Sequence, residues 1–146
     1  MALDDSGSEI LEVHECLALL RHASIGRVGL SVGALPVVLP VNFVLVPGAI
    51  LLRTSRGSKL TAAWDQAVVA FEADDYDPVD RTGWSVLVQG RSRVVTDTSE
   101  IRHDLAQPLL PWADPLAEHF VEIACERVSG RRVGHHHPYL GNVRAP

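Results

Sequence analysis

A mainly β fold is predicted: a small closed barrel of six antiparallel strands with helices at its periphery. Three observations carry it. Apolar and β-branched runs dominate residues 25–96, and tight-turn residues separate consecutive runs. No helical stretch lies between the first three runs, as parallel pairing requires. The 146 residues, 47% hydrophobic and 21% charged, have the length and composition of one globular domain.

The elements follow in order. Residues 9–22 read as a helix, because Ile10, Val13, Leu17 and Leu20 make one apolar stripe. Ser6 and Glu9 offer it a capping box. Ile25–Val32 and Leu35–Val46 read as strands meeting at Gly33-Ala34, a hairpin signal, and Pro47-Gly48 turns the chain into a third strand, Ala49–Thr54. Residues 55–64 form a loop and a short helix. Residues 67–73 are a fourth strand, apolar enough to be covered on both faces, and residues 74–83 a polar excursion. Residues 84–96 are a fifth strand, with Gly90 marking a bulge or a close approach. Residues 98–110 suit a helix stopped by Pro111, and residues 119–129 a sixth strand. The barrel core spans about residues 11–133 of a single domain, residues 1–146, with a tail over 134–146.

The formal net charge of −5 argues against a nucleic-acid partner held by a general basic surface. Cys16 and Cys125 lie in apolar segments and read as free buried thiols, with no metal spacing between them. No basic segment precedes an apolar run at the start, and no apolar run nears the ~20 residues of a membrane span. A cytoplasmic location without membrane association is expected.

Of the 13 cationic residues, Lys59 alone is lysine. It closes the segment Arg53-Thr54-Ser55-Arg56-Gly57-Ser58-Lys59, which sets three cations, three hydroxyls and a glycine between a strand and a helix. Charged donors, hydroxyls and freed backbone N–H groups are what a phosphate needs, with Ser58 as the helix cap. A solvated loop with a capping serine has the same composition, so both readings stand. His135, His136 and His137 read as a solvated tail and not a metal site, and Asp74, Asp75 and Asp77 as a solvated acidic loop. Trp64 and Trp112 suit packing beside helices; Trp84 suits either the core or a pocket wall. Glu72, in an apolar strand, either faces solvent, the favoured reading, or is buried and paired with an arginine of the partner subunit. No Ser/His/Asp, Cys/His or paired-carboxylate catalytic set is readable.

Four blocks carry a family resemblance: PVNFV at 40–44, ILLRTSRGSKL at 50–60, VAFEADDYD at 69–77 and RTGWSVLVQGRS at 81–92. In order and spacing they resemble the FMN-binding split-barrel superfamily, and within it small flavin and deazaflavin oxidoreductases related to pyridoxamine 5′-phosphate oxidase. The resemblance implies a six-stranded antiparallel split β-barrel that forms a homodimer with flavin at the interface. It implies an FMN phosphate held by Arg53, Thr54, Ser58 and Lys59, and a ring lying along Pro40, Val41 and Asn42. Trp84 and Ser85 would stand near the pocket, contributed by the second subunit. The implied activity is hydride transfer to or from a small organic substrate. A deazaflavin coenzyme in place of FMN, or a non-enzymatic flavin- or haem-binding module, fits the same resemblance. Pyridoxamine 5′-phosphate oxidase proper resembles a longer chain ending in Arg-Leu-x-Pro, which Val143-Arg144-Ala145-Pro146 does not reproduce.

Overall fold

Local chemistry sets the hairpins. The computed structural model describes residues 1–55, 57–101, 106, 109 and 119–134. Strands β2 (Ile25–Val32) and β3 (Leu35–Val46) turn on Gly33 and Ala34, whose φ values of 53° and 66° give the two left-handed residues that a tight hairpin demands. Pro47 and Gly48, with φ of 75° at the glycine, then lead into β4 (Ala49–Thr54). After helix α2 (Ser58–Trp64) come β5 (Val68–Asp77) and β6 (Thr82–Val94). Asp77 Oδ1 organises their turn by accepting the N–H groups of Val79 and Asp80 at 2.8 and 3.1 Å. β7 (His119–Ala124) and β8 (Arg127–Val133) follow. At the other end of the chain, β1 (Glu9–Leu11) precedes helix α1 (Val13–His22).

All pairings are antiparallel. The barrel closes through β2, β3, β4, β7, β6 and β5, while β8 and then β1 extend the sheet from the first half of β6. The six-stranded barrel is therefore present, with two strands added. Two strands change partner along their length. β3 pairs with β2 over Leu35–Asn42 and with β4 only over Phe43–Val46. β6 meets β8 over Gly83–Gln89 and β7 only over Ser92–Val94. The barrel is thus two sheets that share β3 and β6.

Alternate side chains fill the interior. Val28, Leu30, Val41, Phe43, Ile50, Leu52, Val69, Phe71, Val86, Val88, Val121 and Ile123 form its core, where the Phe43 and Phe71 rings meet edge-on at 4.6 Å. β4 is buried on both faces: Leu51 points outward into a second cluster with Val95, Ile101, Ala106 and Leu109. α1 buries Cys16 and Leu20 against the extended sheet, and α2 drops Leu60 and Ala63 into the barrel's end.

Several boundaries differ from expectation. Residues 9–11 are a strand, not the first helical turn, and Ile10 and Val13 are about half exposed. The helix starts instead on a Glu12–Glu15 capping box, Glu15 Oε2 accepting the Glu12 N–H at 2.8 Å. The polar stretch 74–83 is mostly strand, reduced to a turn at 78–81. The sixth strand breaks at Cys125 and Glu126 into β7 and β8, because the Cys125 N–H donates to Gly48 and Glu126 Oε2 accepts the Arg91 N–H. Most of the helix expected over 98–110 lies outside the described residues, as do Arg56, Trp112 and His135, His136 and His137; Thr98–Glu100 form a 3₁₀ turn. Both cysteines are free. Among the described residues, no helix is long and apolar enough to cross a membrane.

Gly90 is the expected point of close approach. It lies just before the point where β6 takes up β7, and a Cβ there collides with the Ala124 carbonyl. Gly29, by contrast, offers a new Cβ only an ordinary 3.6 Å contact with Ala70. Gly90→Ala should cost about 2 kcal/mol in urea unfolding and Gly29→Ala under ~1 kcal/mol; equal costs would show that the contact relaxes freely.

Candidate functional site

The exchange of partners along β3 opens the barrel on one side. Below Phe43, β3 leaves β4 and continues beside β2, so Pro40, Val41 and Asn42 flank one side of the opening. Arg53 and Thr54, past the last β4 residue that pairs with β3 but still paired with Phe120 and His119 of β7, flank the other, and the chain passes through 55–57 into α2. Of the residues expected at a ring and at a phosphate, Pro40, Val41, Asn42, Arg53 and Thr54 therefore flank the point where β3 parts from β4.

Their side chains differ in availability. Pro40 and Asn42 are exposed, whereas Val41 is buried in the core and presents only its main chain. Arg53 is half-buried, its guanidinium 5.8 Å from the centre of the Phe120 ring and its Nη1 in a long 3.5 Å contact with the Leu109 carbonyl. Thr54 is buried, and its hydroxyl donates to the Ser55 carbonyl at 3.1 Å. Ser58 is half-buried and does not cap α2: Gly57 takes that place, and its carbonyl accepts both the N–H and the hydroxyl of Thr61.

Lys59 is half-buried, its stem beside Val28, Leu30, Leu52, Val121 and Ile123 at the barrel's end. Among the described residues it has no hydrogen-bond or ion-pair partner. Burial pushes its ammonium below the ordinary lysine range. A cation desolvated without a counter-charge is costly unless an anion arrives.

Trp84 and Ser85 stand apart. β2 and β5 separate them from β3, about 14 Å at three strand spacings. Trp84 packs on the core and borders a groove of about 600 Å³ with Asp75, Tyr76 and Arg132. Ser85 lines a groove of about 420 Å³ on the outer face of the first sheet, with Asp4, Glu72 and Arg131. Glu72 joins features of both expectations. It points outward yet is partly buried, and it pairs with Arg27 of its own chain at 3.2 Å. Arg27 also contacts Asp74 at 3.3 Å. Nothing in the linear sequence marks this triad, since its members meet only through the β2–β5 register. Arg131 and Arg132, unassigned from sequence, pair with Asp4 and Glu9 at 2.9 and 3.5 Å. Among the described residues no cluster of three or more His, Cys, Asp or Glu could hold a metal ion.

The family model for pyridoxamine 5′-phosphate oxidase matches residues 12–132. The chain belongs to this family. It is 36% identical to the uncharacterized protein Rv0080 of Mycobacterium tuberculosis, the match covering 90% of this chain and 91% of that one. A solved FAD binding protein from Mycobacterium smegmatis is similar at 32% identity and a TM-score of 0.66, covering 86% of this chain and 98% of the other. A FAD-binding protein from Mesorhizobium loti has a TM-score of 0.73 at 23% identity, over 86% and 98% of the two chains, a likeness of fold. The architecture is the split barrel of flavin-binding members of this family.

Because Lys59 is desolvated and has no described partner, Lys59→Met should raise the urea midpoint at pH 7. A lysine whose folded pKa is depressed opposes folding most while both states are protonated. The gain should therefore shrink as pH rises toward the ordinary lysine range. A lower midpoint for the variant would mean that the ammonium finds compensation in the folded protein.

Proposed function

We propose that the protein is a homodimeric flavin-dependent oxidoreductase with FMN seated in the split between β3 and β4. The observation that carries this reading is Lys59, a half-buried cation with no described partner, next to Ser58 at the start of α2 and just past the loop that Arg53 and Thr54 enter. Lys59, Arg53 and Ser58 supply two charges and a hydroxyl to one phosphate, a donor set that fits the group. The Thr54 hydroxyl, given to Ser55, steadies the loop. Pro40, Val41 and Asn42 offer an open strand surface to the ring. Bound flavin supplies the redox chemistry, which accounts for the lack of a readable acid–base set and allows hydride transfer to or from a small organic substrate. The FAD named for the Mycobacterium smegmatis protein carries the same ring and the same first phosphate, so this anchor serves either nucleotide.

Dimerisation rests on the outer face of the first sheet, which none of the described helices covers. Ile25, Val38 and Val68 stand on it at 59%, 67% and 67% exposure, a large apolar surface for a lone chain. A second copy stacked there could bring its own Trp84 and Ser85 to the split, which the Trp84 and Ser85 of the same chain are too distant to line.

Freshly purified protein should show a flavin absorption spectrum or quench FMN fluorescence on titration; a colourless protein that leaves FMN, FAD and a deazaflavin coenzyme unbound contradicts the reading. Lys59→Ala should weaken FMN about 10- to 100-fold and riboflavin little, since only FMN carries the phosphate. Equal weakening removes Lys59 from that role. Reduction of the bound flavin by NAD(P)H, with reoxidation by an added acceptor, separates an enzyme from a binding module.

A further inference from the structure

In the middle of the outer face, two carboxylates share one cation. Arg27 Nη1 lies 3.2 Å from Glu72 Oε2 and 3.3 Å from Asp74 Oδ1. The other oxygen, Glu72 Oε1, is closed off from solvent and accepts no hydrogen bond. From β6, the residues facing this pair are Leu87 opposite Glu72 and Ser85 opposite Asp74. Across the 420 Å³ groove the remaining charges, Asp4 and Arg131, neutralise each other at 2.9 Å. From β2, Arg27 is the one charged residue opposite. The cluster therefore keeps one uncompensated negative charge, ringed by Ile25, Pro40, Ala70 and Leu87.

We propose that two copies of the chain stack on this face with uptake of a proton by the Glu72–Asp74 carboxylate pair of each protomer, so that the dimer tightens as pH falls. The inference rests on the dimer of the preceding section. Stacking removes the remaining water from a cluster that is already one charge in excess, and an uncompensated buried charge costs more than a protonated carboxyl. Both unpaired features are then accounted for: protonation cancels the excess charge, and the neutral carboxyl can donate across the groove. The isolated chain already leans this way. Burial first, then Asp74, holds the Glu72 carboxyl above its usual range against the pull of Arg27.

The sign follows from linkage. If the dimer holds Glu72 at a higher pKa than the monomer does, association is favoured at low pH and lost as pH rises through the dimer value. With one proton per protomer, the dimer dissociation constant can change by up to about a hundredfold per pH unit in that window. Sedimentation velocity of the protein as purified, over pH 5 to 8, reads this directly. The expected result is a dissociation constant that rises with pH in the wild type. In Glu72→Gln, which carries the neutral form permanently, it should be tight and flat. Asp74→Asn, which removes the carboxylate that raises Glu72, should move the transition to lower pH and serves if Glu72→Gln fails to fold. A wild-type dimer indifferent to pH, one that loosens as pH falls, or a slope retained in Glu72→Gln overturns the inference and leaves the dimer standing. A monomer at every pH overturns both.

Discussion

Partner exchange within β3 and β6 governs the molecule. A strand of twelve or thirteen residues that kept the same neighbours throughout would build a closed barrel without a side entrance. Here β3 gives its first eight residues to β2 and its last four to β4, and β6 divides itself between β8 and β7 in the same way. The two sheets can then splay without losing continuity of the backbone. The opening at Asn42 and Arg53, the plug formed by α2 and the glycine at position 90 are consequences of this one arrangement. So is the wide outer face of the first sheet, whose strands lie side by side with no described helix upon them.

Electrostatics follow from where the splay puts charge. Lys59 and Glu72 are each partly withdrawn from water, and for both the largest influence on the titrating group is that burial. They differ in company. Lys59 has none among the described residues, so an incoming anion gains its whole attraction without displacing a carboxylate. Glu72 shares Arg27 with Asp74 and remains short of a donor. The acidic net charge is thus compatible with a phosphate site, because a single local cluster of cations suffices for a single phosphate.

What was legible in the sequence followed local chemistry. Gly33-Ala34 and Pro47-Gly48 announce two hairpins by their turn requirements, and the three strands they join have the expected bounds. Gly90 announced a close approach. The misread places are those where distant contacts decide. Ile10 and Val13 fit a helical stripe by spacing, but pairing with β8 draws residues 9–11 into the sheet. The turn at Cys125 and Glu126 has neither glycine nor proline and is held by Gly48 and Arg91. The site divides similarly. The 53–59 segment was visible as clustered donors, but the burial of Thr54 and Val41 depends on barrel geometry. The Arg27–Glu72–Asp74 triad exists only through register.

The central claim is that the split between β3 and β4 receives the flavin. Amide hydrogen exchange with and without saturating FMN tests it most directly, because protection reports where the ligand lies along the backbone. The account predicts slowed exchange concentrated in residues 37–44 of β3 and in the segment from Arg53 into α2, with the β7–β8 turn unchanged. Protection confined to the groove of about 710 Å³ that Leu17, Arg21, His22, Val46 and Cys125 line between the end of α1 and the Pro47-Gly48 turn, or none in either flank of the split, would contradict it.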